Sequence, residues 1–347
     1  MINFYLIAVV VFILGLALTF LAVKIFPKMK LLDRPEKYGL KRAPIPYYGG
    51  VVIFLTFFIG VILFVPFSKM VVGLLIGSFI IALLGFLDDY FSLSPLIRLF
   101  VQFFAASILV YFGIYIFSIN LPFFGVVDFA SVMWGYVPVL AALFTVFWVM
   151  TIVNTMNFVD GIGGLSSGVS FIGGLAIFFL SINPEINQDL VSQMPVAVMA
   201  LILSMTSLAF LIFDFPKPKI LMGDSGSTFL GFVLATLAIF SGGKVATAFL
   251  VLGLPILDMA WVVLRRLFSG QKIWKGDLKH LHHRFMNVGF SQRKVVILYL
   301  IVTALLALMA VNLVSGQQKF FMIAALVIFV AILAAGLIKM KGKNGDF

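Results

Sequence analysis

Apolar residues in this chain gather into runs of about 20, and nearly all of the charge is confined to the gaps between them. Inside a bilayer every backbone N–H and C=O has to be paired within the protein, and a helix does this within each run. A chain of 347 residues that is 63% hydrophobic and only 11% charged carries more apolar surface than a soluble globule of its size can hide. The pattern predicts an all-α, polytopic membrane helix bundle of about eleven transmembrane helices. They run approximately Phe4 to Phe26, Tyr47 to Pro66, Met70 to Leu87, Leu99 to Phe117, Val137 to Val153, Leu165 to Ile182, Val196 to Phe213, Thr228 to Phe240, Val245 to Leu264, Val295 to Val314 and Phe320 to Ile338. The eighth is short, and the fifth and sixth also read as one long broken helix. No repeat, low-complexity tract or soluble domain interrupts the pattern, so residues 1–347 read as a single integral membrane domain.

Met1 to Phe26 has no positive charge ahead of its apolar run, which is longer than the roughly 7 to 15 residues of a signal-peptide core. We read it as an uncleaved first span with the N-terminus outside. Of the 24 Lys and Arg residues, only Lys69, Lys244 and Lys319 then fall on the outer side, which sets the expected topology as N-terminus outside and C-terminus cytoplasmic. That distribution accounts for the net charge of +11 without nucleic acid. With no cysteine, disulfides, thiolate zinc sites and iron–sulfur clusters are ruled out. A metal is left to oxygen or imidazole ligands, which favours a hard cation such as Mg2+. The outer acids Asp128, Glu185 and Asp189 read as connecting loop, as does the aromatic-bearing stretch from Ser118 to Gly135.

The polar residues able to do chemistry fall in the inner loops. The first, Pro27 to Pro46, carries Lys41 and Arg42, either as a solvated basic linker or facing lipid or substrate phosphate. The second opens with Asp88-Asp89 directly behind an apolar run, where carboxylates meet the negative end of a helix dipole and need other partners. As a general base with metal or phosphate positioning they would have a use; as a hydrated turn they would have none. The third, Asn154 to Gly164, joins Asn154, Asn157 and Asp160 to a glycine turn opening a helix, an arrangement suited to phosphate and equally to a simple capped turn. The fourth ends in Met222-Gly223-Asp224-Ser225-Gly226-Ser227, where Asp224 serves as an N-cap, as a metal ligand, or as both. The fifth holds every histidine, in Asp277-Leu278-Lys279-His280-Leu281-His282-His283-Arg284. With no cysteine or fourth histidine to complete a zinc site, phosphate contact or proton handling is the stronger reading. Arg265 and Arg266 close the ninth span, where they also satisfy the helix dipole. Asp258 lies within that span and asks for a cation or a hydrogen bond.

Asp88-Asp89 with Leu93, Pro95, Arg98 and Gln102, then Asn154 to Leu165, Gly223 to Ser227, and Asp277 to Arg284, together resemble the polyprenyl-phosphate N-acetylhexosamine-1-phosphate transferases. The resemblance covers about residues 30 to 290. The last motif looks more like the branch that starts wall teichoic acid, O-antigen or common-antigen synthesis with GlcNAc-1-phosphate than the peptidoglycan branch, which moves a MurNAc-pentapeptide phosphate. It implies an enzyme of the bacterial cytoplasmic membrane, dependent on Mg2+ with Mn2+ as a substitute, whose active site faces the cytoplasm. Undecaprenyl phosphate would attack a UDP-sugar, giving undecaprenyl-diphospho-sugar and UMP. On this analogy Asp88, Asp89, His280, His282 and His283 are catalytic, and Asn154, Asn157, Asp160, Arg98, Arg265, Arg284 and Lys41 bind substrate. Asp224 and Asp89 would hold the metal, and a homodimer follows from family behaviour. Family members commonly read Asp-Gly-x-Asp-Gly-Leu in the third loop, where this chain has Gly163 in place of the second Asp, and Lys41 stands roughly where a His is common. A secondary transporter is the rival reading, but the spans carry almost no charge apart from Asp258.

Overall fold

A computed structural model describes residues 3–38, 42–121, 125–187, 189–241, 245–271, 280–313 and 316–343. The described chain is mostly helical. In order come α1 (Phe4–Ile25), α2 (Gly49–Phe64), α3 (Lys69–Phe91), α4 (Pro95–Tyr111), α5 (Val139–Val159), α6 (Leu165–Ile182), α7 (Leu190–Asp214), α8 (Gly223–Phe240), α9 (Val245–Val251), α10 (Gly253–Phe268), α11 (Leu281–Asn287), α12 (Gln292–Asn312) and α13 (Gly316–Lys343). Eight of them, α1, α3, α5, α6, α7, α8, α12 and α13, are long and apolar enough to cross a membrane. The chain is thus a multi-pass membrane protein. α2 and α4 are apolar but shorter, at 16 and 17 residues.

Helix starts follow local chemistry. Ser68, Ser94 and Ser291 each accept a backbone N–H three residues on, and Pro95 fills the first position of α4, where its missing N–H costs nothing. Asp189 caps α7 by accepting from Val191 and Ser192.

The ninth and eighth runs differ from the helices found, while the fifth and sixth resolve an alternative. The ninth run is broken at Leu252 into α9 and α10, with Pro255 in the first turn of the second piece. The fifth and sixth runs are separate helices, because Gly164 takes a left-handed φ of 90° before α6. The eighth starts at Gly223, so residues read as loop belong to its first turn. On the expected outer side, β1 (Ser118–Leu121) pairs antiparallel with β2 (Gly125–Asp128), and β3 (Met133–Trp134) with β4 (Val137–Pro138).

α8 is the axis of the bundle. Every residue from Ser225 to Phe240 is buried, and α2, α3, α5, α6 and α7 all pack on it. The periphery is the opposite: α1 and α13 turn large apolar side chains outward, among them Leu6, Ile13, Ile328 and Ile332, as a lipid-facing surface requires.

Candidate active site

The first turn of α8, Gly223-Asp224-Ser225-Gly226, is gripped by backbone. A methyl group at Gly50 would stand 2.1 Å from Gly226 N, and one at Gly85 would stand 2.4 Å from Ser225 Cα. Glycine alone lets α2 and α3 close on α8 there. Tyr48, at φ 69°, turns the chain so that Gly49 and Gly50 N–H donate to the Leu221 and Met222 carbonyls at 2.9 and 2.8 Å. Gly49 and Gly50 fall at the start of the second apolar run and carry no role in the sequence reading, yet the pair sets where Asp224 stands.

Asp88 and Asp89 lie inside the last turn of α3, which continues to Phe91 instead of stopping at Leu87. Their unfavourable place at the negative end of the helix is offset by tertiary partners, and a different set for each. Asp88 is buried; its Oδ1 accepts from Leu93 N at 2.7 Å and its Oδ2 faces Arg98 Nη1 at 3.1 Å. Ser92, left-handed at φ 54°, reverses the chain so that Arg98, in the first turn of α4, returns to Asp88. The same Arg98 nitrogen lies 3.4 Å from Asp224 Oδ2. Asp89 faces the other way. Its Oδ1 accepts from Tyr47 Oη and from Asp224 N, both at 2.9 Å, and its Oδ2 accepts from Ser225 N at 3.2 Å. It therefore caps the positive end of α8, each such charged bond contributing about 1.5–3 kcal/mol.

The last turns of α5 and the turn after it meet this cluster from a third side. Asn157 Nδ2 donates to Ser227 Oγ of α8 at 3.3 Å, while Asn154 is bound to Gln102 of α4 and to its own helix, both at 2.7 Å. Asp160 is held well above the usual carboxylate range, first by burial and then by Asp214, Asp224 and Asp89 around it. Asp214, which the sequence reading did not single out, is buried at the end of α7. Its Oδ2 accepts from Gly164 N at 2.7 Å and Ser167 Oγ at 2.9 Å, so it caps α6. A side-chain carbon at Gly163 would meet Pro218 Cγ at 2.7 Å, Asp214 O at 2.9 Å and Asp214 Oδ1 at 3.1 Å. An aspartate at 163 does not fit this backbone, and the carboxylate beside that position is supplied by α7.

The histidines close the fourth side. Asp258 of α10, unassigned from sequence, accepts from Leu281 N at 2.7 Å and lies 3.2 Å from His280 Nδ1, anchoring the start of α11. His280 and His282 rings stack in parallel planes at 5.6 Å, and His283 lies 4.3 Å from His282. His282 is buried, with both ring nitrogens lacking a hydrogen-bond partner among the described residues. Burial, then the neighbouring His283 and His280, push it down to about 3. A methyl group at Gly161 would stand 2.9 Å from His282 Nε2, so the Asp160-Gly161 turn and the histidine helix touch. Arg265 lies in the last turn of α10 and Arg284 in α11; of the two arginines closing α10, Arg266 is the buried one. Lys41 and residues 272–279, which include Asp277 and Lys279, lie outside the described residues.

Residues 71–242 match the family described as glycosyl transferase family 4. The decaprenyl-phosphate N-acetylglucosaminephosphotransferase of Mycobacterium tuberculosis (strain ATCC 25618 / H37Rv) is 30% identical over 349 residues, covering 90% of this chain and 83% of its own. The chain belongs to glycosyl transferase family 4. A probable undecaprenyl-phosphate N-acetylglucosaminyl 1-phosphate transferase of Bacillus subtilis (strain 168) is 29% identical over 339 residues, 94% of this chain and 91% of that protein. The undecaprenyl-phosphate alpha-N-acetylglucosaminyl 1-phosphate transferase of Escherichia coli (strain K12) is 29% identical over 311 residues, 86% and 80% respectively. The family match spans α3 to the end of α8, and so contains Asp88, Asp89, Asn157, Asp160 and Asp224.

Proposed function

We propose that residues 1–347 form one integral membrane transferase that moves a sugar-1-phosphate, GlcNAc-1-phosphate first among the candidates, from a UDP-sugar to undecaprenyl phosphate. One observation carries the reading: in a member of this family, Asp88 and Asp224, from helices far apart in sequence, are brought onto one arginine at the end of the buried α8. The names of the relatives support the lipid acceptor and the sugar. The asymmetry of the basic residues supports eleven spans with the site on the cytoplasmic face of a bacterial inner membrane.

In the reaction an oxygen of the lipid phosphate forms a bond to the sugar-linked phosphorus, and the bond from that phosphorus to UMP breaks. Two anions must meet, so neutralising charge is the main task. A phosphate monoester has a second pKa of about 6 and is mostly dianionic at neutral pH, so little of the work falls to a base. Asp88, held by Leu93 N and Arg98, orients the acceptor and takes whatever proton remains. Arg98, Arg265, Arg284 and Lys41 attract the phosphates, and Asn157 and Asp160 line the diphosphate. His280 and His283 flank it. His282 touches it only after parting from Gly161.

The donor set fits Mg2+, which binds through one or two carboxylates plus substrate phosphates and keeps several waters. Among the described residues no three His, Asp or Glu side chains could hold an ion together, and Asp88 with Asp224 make two. These two would hold it. Asp89, the other ligand read from sequence, we assign to holding α8. When bound, the ion supplies charge neutralisation to the donor diphosphate.

The test is incubation of purified protein with undecaprenyl phosphate and a panel of UDP-sugars, identifying the lipid product by mass. The expected product is a lipid-diphospho-N-acetylhexosamine with UMP released, lost in excess EDTA and restored by Mg2+ or Mn2+. Absence of any lipid-linked product across the panel refutes the reading.

A further inference from the structure

The positive charge between Asp88 and Asp224 is a guanidinium. Arg98 Nη1 serves Asp88 Oδ2 at 3.1 Å and Asp224 Oδ2 at 3.4 Å, so one charge offsets two. The Asp88 and Asp224 carboxyls also stand within hydrogen-bonding reach of one another, so the two are already side by side. A Mg2+ ion bound to both, at about 2.0–2.1 Å each, needs them within about 4.2 Å. An ion between them would also stand against the guanidinium, like charge against like. Arg98 is 33% exposed on a flexible stem, whereas Asp88 is 7% exposed and fixed by Leu93 N. The arginine is the partner free to move.

We propose that Arg98 is an internal counter-ion, which a divalent cation must displace from at least one of the two carboxylates before it can bind both. Displacement leaves an unpaired guanidinium at the mouth of the site, where it meets an anionic phosphate. Cation binding and phosphate capture are thereby coupled through one side chain. The proposal rests on the reading of Asp88 and Asp224 as the cation site.

The test is Mn2+ binding to the purified protein, with no sugar donor and no lipid phosphate, followed by electron paramagnetic resonance. Arg98→Gln is expected to bind Mn2+ about tenfold more tightly than the unaltered protein. Arg98→Lys, which keeps a positive charge but changes the length of the stem and the shape of the head, should fall between them. Asp224→Asn should abolish the binding in both backgrounds, and Arg98→Gln should bind UMP more weakly. Mn2+ affinity unchanged or weakened in both Arg98 variants, with thermal unfolding showing them folded, overturns the proposal. If Arg98→Gln does not fold, Arg98→Lys decides by the same comparison. Because no sugar donor is present, a protein inactive toward every UDP-sugar would refute the transferase reading and leave this result standing.

Discussion

Gly50→Ala adds one methyl group at the tightest point of the frame. On the present backbone its carbon would stand 2.1 Å from Gly226 N and 2.5 Å from Ser225 C, against an ordinary contact of 3.4 Å or more. Both neighbours are backbone atoms, so no rotamer change gives relief, and α2 must part from α8 by about 1.3 Å. The Gly49 and Gly50 bonds to the Leu221 and Met222 carbonyls are lost, and as the released first turn of α8 shifts, Asp89 loses its hold on Asp224 N and Ser225 N, now at 2.9 and 3.2 Å. Overpacking costs about 1–3 kcal/mol and each charged hydrogen bond about 1.5–3, so a loss of about 3 kcal/mol or more is expected. That is a large share of the roughly 5–15 kcal/mol that holds a typical domain together. Asp224 moves with the turn, and a misplacement of about 1 Å is enough to slow turnover on the order of a hundredfold. Thermal unfolding in detergent and UMP release measure the two effects. Gly336→Ala, on α13 with nothing within 4 Å, serves as the neutral control. A Gly50→Ala protein that melts and turns over like the unaltered one would refute this account of the glycine frame.

Asp88→Asn preserves shape but removes the charge facing Arg98, and UMP release is expected to fall by about a hundredfold or more in a folded protein; near-normal turnover removes the role given to Asp88. Asp258→Ala strands the Leu281 N–H and frees His280, at a cost of about 1–3 kcal/mol, so hydrogen exchange in α11 should speed up while α8 is unchanged. Unaltered protection of residues 281–287 would show that Asp258 is not their anchor. His282, held down to about 3, resists a proton that the unfolded chain takes up near pH 6.5. Its contribution to stability is therefore complete above about pH 6.5 and lost as pH falls toward 3, by about 2 kcal/mol between pH 7 and 5. Asp160, held upward, works in the opposite sense, so the quantity to measure is the difference in melting-temperature slope between the unaltered protein and His282→Gln. Identical slopes count against a buried neutral His282.

Apolar run length located most of the helices, because a bilayer makes length and polarity the governing variables. It failed where a helix outlasts its apolar run. α3 continues through Asp88 and Asp89, and α8 begins before Asp224, because the partners that make those carboxylates tolerable come from other helices. The convergence of Asp88, Asp224 and Asn157 was readable as motifs on one expected face. Asp214 was not, since its meaning depends on Gly163, Gly164 and Ser167, some 47 to 51 residues away in the chain. Asp258 stood out as a charge inside a run, yet its partner at 281 is a backbone amide, which leaves no trace in composition. The break at Leu252 was hidden because the residues on both sides remain apolar.

The enclosure of α8 has a bearing on how such a protein could be adapted. A rod held at its tip by backbone of α2 and α3 and by Asn157 of α5, and buried along the rest of its length, leaves little freedom to the turn that carries Asp224. Accommodating a larger or differently shaped sugar would fall to the rim: the turn from Asp160 to Gly164 and the short histidine helix tethered by Asp258. These segments meet at Gly161 and lie beyond the fully enclosed length of α8.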